Sequence, residues 1–326
     1  MLKPTNRTYL PRFQWHFLKP RFWGVWGALI VALPFSLLPL KFHRGIARRA
    51  ARFILTKRKD SKAAVSLKVN LDTAFGDKSD SEKMAIAEQC LTTAGTFLMR
   101  FPRLSLRSRQ YLDKNTEIIG LEHLESLKQQ GEKVILLAPH TWGIDVLPVL
   151  LASRDLPVAA MVKKQKNPVA DWLMNRQRLQ YGGRIHERSD GIKHFLKSVK
   201  EGFLGYYLPD QDHGRDSSIF VDFFGQPKAT LPGIGKLTKI SKGYIVPTFT
   251  CFDADSGQFI VHIFPPWEGY PTGDDHVDAR AMNAFIEQQV AQHPEQYMWN
   301  LQFFKTRQDG RNIYKEYRTQ IRQQQS

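Results

Sequence analysis

Residues 133–145 read KVILLAPHTWGID, and this stretch decides the fold. Lys133–Pro139 is a short, nearly unbroken apolar run rich in Val, Ile and Leu. Such a run reads as a strand buried on both faces, the kind that parallel sheets contain. His140 follows directly, so it sits at a strand's carboxyl end. Ligands of open α/β sheets bind beyond those ends. Gly143–Ala152 then reads as a helix.

The alternation extends outward from there. From about Thr116, apolar runs alternate with amphipathic stretches. Pro157–Val162 is a second strand. Asn167-Pro168 is a cap followed by proline at the first helical position, opening a helix toward Tyr181. Gly182-Gly183 ends it. Gly191–Lys200 is helical, and Phe203–Leu208 is a strand. Tyr244–Thr250 and Phe259–Phe264 are further strands, and a helix runs from about Asp278 to Gln292. Upstream, Ser79-x-x-Glu82 is a capping box for a helix that reaches about Arg100 and stops at Pro102. The fold class is α/β, a mostly parallel central sheet flanked by helices.

The 326 residues carry a net charge of +16. Residues 1–60 hold 13 Lys/Arg against one acid, Asp60, so the basic excess is local. Beside it lies FWGVWGALIVALPFSLLPL, Phe22–Leu40, 19 residues without a charge. About 20 apolar residues span a bilayer. Trp23 and Trp26 near one end suit the headgroup zone. Ile46–Thr56 reads as a basic amphipathic helix. The expectation is an N-terminal hydrophobic membrane helix, spanning or re-entrant, with a buried hairpin as the alternative. It predicts a basic anchor segment over 1–60 and an α/β domain over 61–326, with membrane lipids as partners. Basic residues on both flanks place the C-terminal part in the cytoplasm. A nucleic-acid binder does not need the apolar run, so that reading falls. Cys90 and Cys251 lie far apart, which argues against a thiolate zinc site or a disulfide framework.

Common site motifs are absent: no G-x-S-x-G, P-loop, dinucleotide fingerprint or H-E-x-x-H. His140-x4-Asp145 remains. On a continuous helix the two side chains would lie about 140° apart, so a turn at Gly143 must bring them together. The imidazole then takes a proton from an attacking hydroxyl, while the carboxylate fixes its tautomer. An already activated thioester needs no protein nucleophile. From spacing alone, a structural histidine at a strand end stays open. LPDQDHG, Leu208–Gly214, places Asp210, Asp212 and His213 at the same sheet edge. Phe223 and Phe224 lie in a loop-like stretch, as lining for an apolar ligand or as core. Arg184 and Arg188 flank a short strand at His186, as phosphate ligands or as solvated charges.

HTWGID, GGRIHERSDGIK, GYYLPDQDHG, FVDFFGQPKATLPG and HPEQYMWNLQFFKTR together resemble the late acyltransferases of lipid A biosynthesis, from about Phe22 to Arg307. Within that family the chain looks most like the myristoyl-transferring type, which has aspartate where many members have glutamate at the Asp145 position. The resemblance implies a glycerolipid-acyltransferase-like fold at the bacterial inner membrane, with its catalytic domain facing the cytoplasm. It implies an acyl-acyl carrier protein donor, an acceptor that is a phosphorylated, Kdo-bearing lipid A precursor, and no cofactor or metal. Carried over, His140 is the base, Asp145 its partner, and Arg188 a functional arginine. Asp210 and Asp212 match a strand-end motif. Trp299–Lys305 lacks the histidine and arginines that many members carry there, so no basic role transfers. Arg176, Arg178, Arg184 and Arg188, within 13 positions, are the densest candidates for docking an acidic carrier. The competing readings are a glycerolipid or other glycolipid acyltransferase, a hydrolase using the same dyad, and a non-catalytic membrane scaffold.

Overall fold

The structure, a computed structural model, describes residues 8–106 and 108–325; Lys3 and Arg7 of the basic N-terminal segment lie outside them. The uncharged run Phe22–Leu40 does not form one helix. α1 covers Trp23–Ser36, a turn follows, and α2 runs from Leu40 to Lys57 with Pro39 at its N-cap. At 14 residues, α1 is about 21 Å long, short of a hydrocarbon core of about 30 Å. Among the described residues no helix is long and apolar enough to cross a membrane. The expected spanning helix is therefore corrected. Pro39 carries no amide hydrogen to extend the helical ladder, and the chain turns there.

α2 is the basic amphipathic helix expected, and it packs along α4 (Asp80–Arg100). His43, Ala47, Ala51 and Leu55, four residues apart, form its buried face. The approach is close because a methyl group added at Gly95 would come within 2.9 Å of the Ala47 side chain. On the rim, Arg48 and Arg52 both pair with Glu88. The Ser79–Glu82 capping box opens α4 as read. α3 (Lys62–Ala74) lies between these helices in the chain, and α5 (Arg103–Leu106) and α6 (Arg109–Lys114) lead into the sheet.

Seven strands form the central sheet: β1 (Thr116–Ile119), β2 (Val134–Leu137), β3 (Val158–Val162), β4 (Arg184–Glu187), β5 (Leu204–Tyr207), β8 (Tyr244–Phe252) and β9 (Phe259–Ile263). Their order is β1-β9-β8-β2-β5-β3-β4. Every neighbouring pair is parallel except β8 with β9. The crossovers carry α7 (Leu121–Gln129), α8 (Val146–Ser153), α9 (Pro168–Arg178), α10 (Lys193–Lys200) and α11 (Gly233–Ser241). Asn167 caps α9 as read, accepting from the amides of Val169 and Ala170. The expected mostly parallel sheet flanked by helices is what folds. α8 starts three residues later than expected, because 143–145 form a turn.

One region departs from the reading. β6 (Ile219–Phe223) and β7 (Gln226–Thr230) form a separate antiparallel hairpin where a loop was expected, packed against α12 (Asp275–Gln292). α13 (Ile313–Gln325) packs on α3. Asn70 on α3 joins this region together: its amide donates to the carbonyls of Trp299 (2.7 Å) and Leu301 (2.6 Å), and its oxygen accepts from Tyr314 (2.6 Å). Replacing Asn70 by alanine takes a partner from the buried Trp299 carbonyl, from the half-buried Leu301 carbonyl and from the Tyr314 hydroxyl, which still accepts from the Phe304 amide; a buried group left unpaired costs about 1–3 kcal/mol. We expect Asn70→Ala to lower stability by about 2 kcal/mol or more on that scale, read from denaturant unfolding. A loss below about 1 kcal/mol would show that the C-terminal region does not depend on this residue.

Candidate active site

β2 and β5 are adjacent parallel strands, and Leu137 is the register partner of Tyr207. His140 lies three residues beyond Leu137, and Asp210 three beyond Tyr207. The two chains leave the sheet side by side, and the Ala138 amide still bonds the Tyr207 carbonyl at 3.0 Å. His140 and Asp210 meet as a consequence. The ring Nδ1 of His140 is hydrogen-bonded to Asp210 Oδ1, and the His140 amide donates to Oδ2 at 2.8 Å. Tyr297 donates its hydroxyl to the same Oδ2 at 2.9 Å. Burial pushes the Asp210 carboxyl up, but the His140 charge and hydrogen bonds, with Lys228 adding, outweigh it and hold the group below the usual carboxylate range.

The C-terminal segment fixes the backbone of the loop. The Met298 amide donates to the His140 carbonyl at 2.9 Å, the Trp142 amide to the Gln296 carbonyl at 3.1 Å, and Thr141 bridges to Tyr297. Gly143 is a glycine because a methyl there would lie 2.5 Å from Thr250 Cγ2 on β8. Tyr206 anchors the far side of the turn by donating to the Ile144 carbonyl at 2.9 Å.

Asp145, expected as the partner of His140, is instead held by Arg178 of α9, whose Nε donates to it at 2.7 Å. Both line the same cleft as His140, a cavity of about 280 Å³ between β3, β4 and α9. Its polar lining includes His140, Asp145, Arg178, Arg188, Gln211 and His213, and its apolar lining includes Ile144, Pro148, Val158, Ala160, Leu179 and Ile185. With Nδ1 committed to Asp210, Nε2 of His140 is the acceptor, 3.0 Å from the Gln211 amide.

The other expected site residues divide. Arg188 is exposed on the cleft, 3.4 Å from His213. Asp212 is spent on structure, accepting from Gly214 and from the amide and hydroxyl of Thr306. Arg184 reaches the cleft wall, but its guanidinium is buried against Glu201 and Phe203. Phe223 and Phe224 do not line this cleft; they pack against Phe304, Phe75 and Trp299. The expected arginine docking patch is not one surface. Arg176 is exposed over Trp172, Arg178 is tied to Asp145, and Arg184 is buried. The reading did not single out Gln211 or Tyr297.

Among the described residues, no serine, threonine or cysteine lines the cleft. Cys90 and Cys251 are buried elsewhere, their thiols pushed up to about 12 by burial. An imidazole oriented by a carboxylate, facing a cleft without such a nucleophile, suits direct transfer onto a substrate hydroxyl.

The relatives of this chain make it an acyltransferase. The bacterial lipid A biosynthesis acyltransferase model matches residues 10–306, and the chain belongs to that family. It is 39% identical over 308 residues to a lipid A biosynthesis myristoyltransferase of Escherichia coli (strain K12), covering 94% of this chain and 95% of that one. It is 36% identical to a lipid A biosynthesis acyltransferase of Haemophilus influenzae over 94% of this chain and 95% of that one. The lipid A biosynthesis lauroyltransferase of Escherichia coli (strain K12) is 29% identical over 93% of this chain and 98% of that one.

The depressed Asp210 carboxyl has a consequence for stability. A carboxyl held below its unfolded value contributes stability that is fully present above about pH 3.9 and is lost as pH falls toward the folded value. Wild type should lose stability on the acid side of about pH 4 more steeply than Asp210→Asn, which has no such group. Parallel curves in pH-dependent unfolding would mean that Asp210 is not ionised in the pair.

Proposed function

We propose that this protein moves a fatty acyl chain, myristoyl or similar, from an acyl-acyl carrier protein to a hydroxyl of a phosphorylated, Kdo-bearing lipid A precursor. The observation that carries the chemistry is the His140–Asp210 pair, whose histidine lines the cleft. The substrate hydroxyl displaces Gln211 from Nε2 and gives its proton to that nitrogen as its oxygen attacks the thioester carbonyl. Asp210 holds the Nδ1 proton and stabilises the imidazolium. The tetrahedral intermediate expels the thiolate, which takes the proton back from Nε2. The apolar walls receive the acyl chain, and exposed Arg188 faces anionic groups of the substrates. The Asp145–Arg178 pair lines the same cleft. The 39% identity to a myristoyltransferase, against 29% to a lauroyltransferase, supports the myristoyl donor.

The test is transfer by purified protein from myristoyl carrier protein to the acylated precursor, with products read by mass spectrometry. His140→Ala and Asp210→Asn should each lower kcat by about 10²–10⁴-fold, with Asp145→Asn retaining more activity than Asp210→Asn. If Asp145→Asn is the more damaged of the two, the orienting role belongs to Asp145. Transfer to a glycerolipid acceptor at an equal rate would favour the alternative substrate class.

The same proposal seats the enzyme at the cytoplasmic face of the bacterial inner membrane without a spanning helix. Trp15, Trp23, Ile30 and Val31 are 82%, 63%, 70% and 67% exposed. Leu37, Leu38, Phe42 and Phe53 are exposed along α2 and the turn before it, and Lys41, Arg49 and Lys57 are exposed on the same helix. Aromatic and aliphatic side chains beside bare cations suit an interfacial seat on anionic lipid. A groove of about 610 Å³ between α1 and α9, lined by Val25, Leu29, Leu33, Leu173 and Met174, adds apolar surface there. The double variant Ile30→Asp/Val31→Asp should stop the protein floating with anionic vesicles, and alkaline carbonate should extract the wild type. Resistance to carbonate would rule out the interfacial seat.

A further inference from the structure

The crossovers set the two faces of the sheet. From β2 through α8 to β3, and from β3 through α9 to β4, the chain steps the same way across the sheet; through α10 to β5 it steps back. Right-handed crossovers therefore put α8 and α9 on one face and α10 on the other. The side chains agree. Ala159, Arg184 and Gly205 share one register row. Arg184 reaches Ser198 of α10, and a methyl at Gly205 would meet Val199 and Phe195 of the same helix. The next row, Tyr206–Ala160–Ile185, points the other way. Its Tyr206 bonds the Ile144 carbonyl in the turn before α8.

All three residues of that second row line the cleft. Ala160 is the middle one, on a strand with neighbours on both sides. A side chain there is buried when a helix packs on it, yet Ala160 is partly exposed, and the space beside it is the cleft. Val162 and Val158, two residues to either side on the same face, line the cleft as well. At the usual strand rise, Ala160 lies about 7 Å and Val158 about 13 Å below Val162, where β3 ends. The cleft is thus a trough that runs down the sheet from the edge where His140 stands. Its floor is narrow, because Tyr206 and Ile185 flank Ala160 on strands only about 5 Å to each side. That width suits a single alkyl chain. Ala160 is the smallest side chain of the row, so a chain can pass over it toward Val158.

We propose that Ala160 sets how long a donor acyl chain the cleft accepts, its lone methyl leaving the trough open between Tyr206 and Ile185. This rests on the reading that the apolar walls receive the donor's chain. A carrier-borne donor presents one linear chain, which a single-file trough fits. The test compares wild type with Ala160→Val and Ala160→Leu, as full chains. Both add bulk into open cleft rather than into packed core, and valine also suits a strand. Transfer is measured with carriers loaded from octanoyl to palmitoyl. In Ala160→Leu, kcat/KM for myristoyl should fall at least about tenfold relative to octanoyl, since even one methylene in an apolar pocket is worth about ten- to 200-fold. Ala160→Val should show a smaller fall in the same ratio. Binding is read in parallel by calorimetry with thioether carriers, whose chains cannot be transferred, and the preference for myristoyl over octanoyl should drop in the same order. A length profile that keeps its shape in both variants, even with all rates lowered together, overturns the proposal. So does a rise in the acceptor KM with the donor profile unchanged, which would give the trough to a chain of the acceptor. If the thioether preference shifts while wild type transfers none of these chains to the lipid A precursor, the role of Ala160 stands and it is the proposed reaction that fails.

Discussion

The pairing of Leu137 with Tyr207 in two neighbouring parallel strands is the constraint from which the site follows. Parallel strands leave a sheet in the same direction, so residues equally far past a register pair arrive together. His140 and Asp210 are both three residues past theirs, and they form the bond that defines the tautomer of the imidazole. A one-residue slip between β2 and β5 would move one of them to the other face of its strand. The near-continuous apolar sequence of both strands is what forbids that slip. Every side chain of β2 and β5 is buried, so the strands are fixed by packing on both faces.

A sheet edge alone does not hold a loop, and here the C-terminal segment does so. Residues 296–298 pair with 140–142, Tyr297 reaches Asp210, and Trp299 and Leu301 are in turn held by Asn70. The Trp299–Lys305 stretch carries a single basic residue, Lys305. Its visible work is backbone support and aromatic packing, with Tyr297 and Phe303 stacked at 4.5 Å between centroids. The polar groups of the site are satisfied from four separate parts of the chain, which makes the arrangement rigid before any substrate arrives.

The central sheet was legible because buried parallel strands announce themselves as short apolar runs. Lys133–Pro139, Pro157–Val162 and Phe203–Leu208 contain β2, β3 and β5, overrunning the strands by three, one and two residues. The β6–β7 hairpin was not legible, because Gln226-Pro227 reads as loop and its partner strand carries Asp222; α12 and the core, more than intrinsic preference, make it a hairpin. His140 was legible from its place after a strand. Its partner was misassigned because sequence proximity favoured Asp145, five residues away. The offset from register was the better signal, but it needs the knowledge that β2 and β5 are neighbours, and β3 and β4 come between them in the chain. Asp145 is instead held by Arg178, which the packing of α9 brings to it and no spacing rule reveals.

The same limit governs the N-terminus. Counting uncharged residues from Phe22 to Leu40 measures how much apolar chain exists but not how it is divided. Pro39 divides it, and the products are a helix too short to cross a bilayer and a second helix that must use one face to pack on α4. Packing α2 through His43, Ala47, Ala51 and Leu55 leaves Phe42 and Phe53 outward beside arginines and lysines. That distribution is unfavourable in bulk water and equally unfavourable in the middle of a bilayer. It is favourable at the boundary between them, where apolar rings enter the acyl region and cations stay with the phosphates. A surface seat of this kind would keep lipid within reach of the exposed apolar side chains of α1.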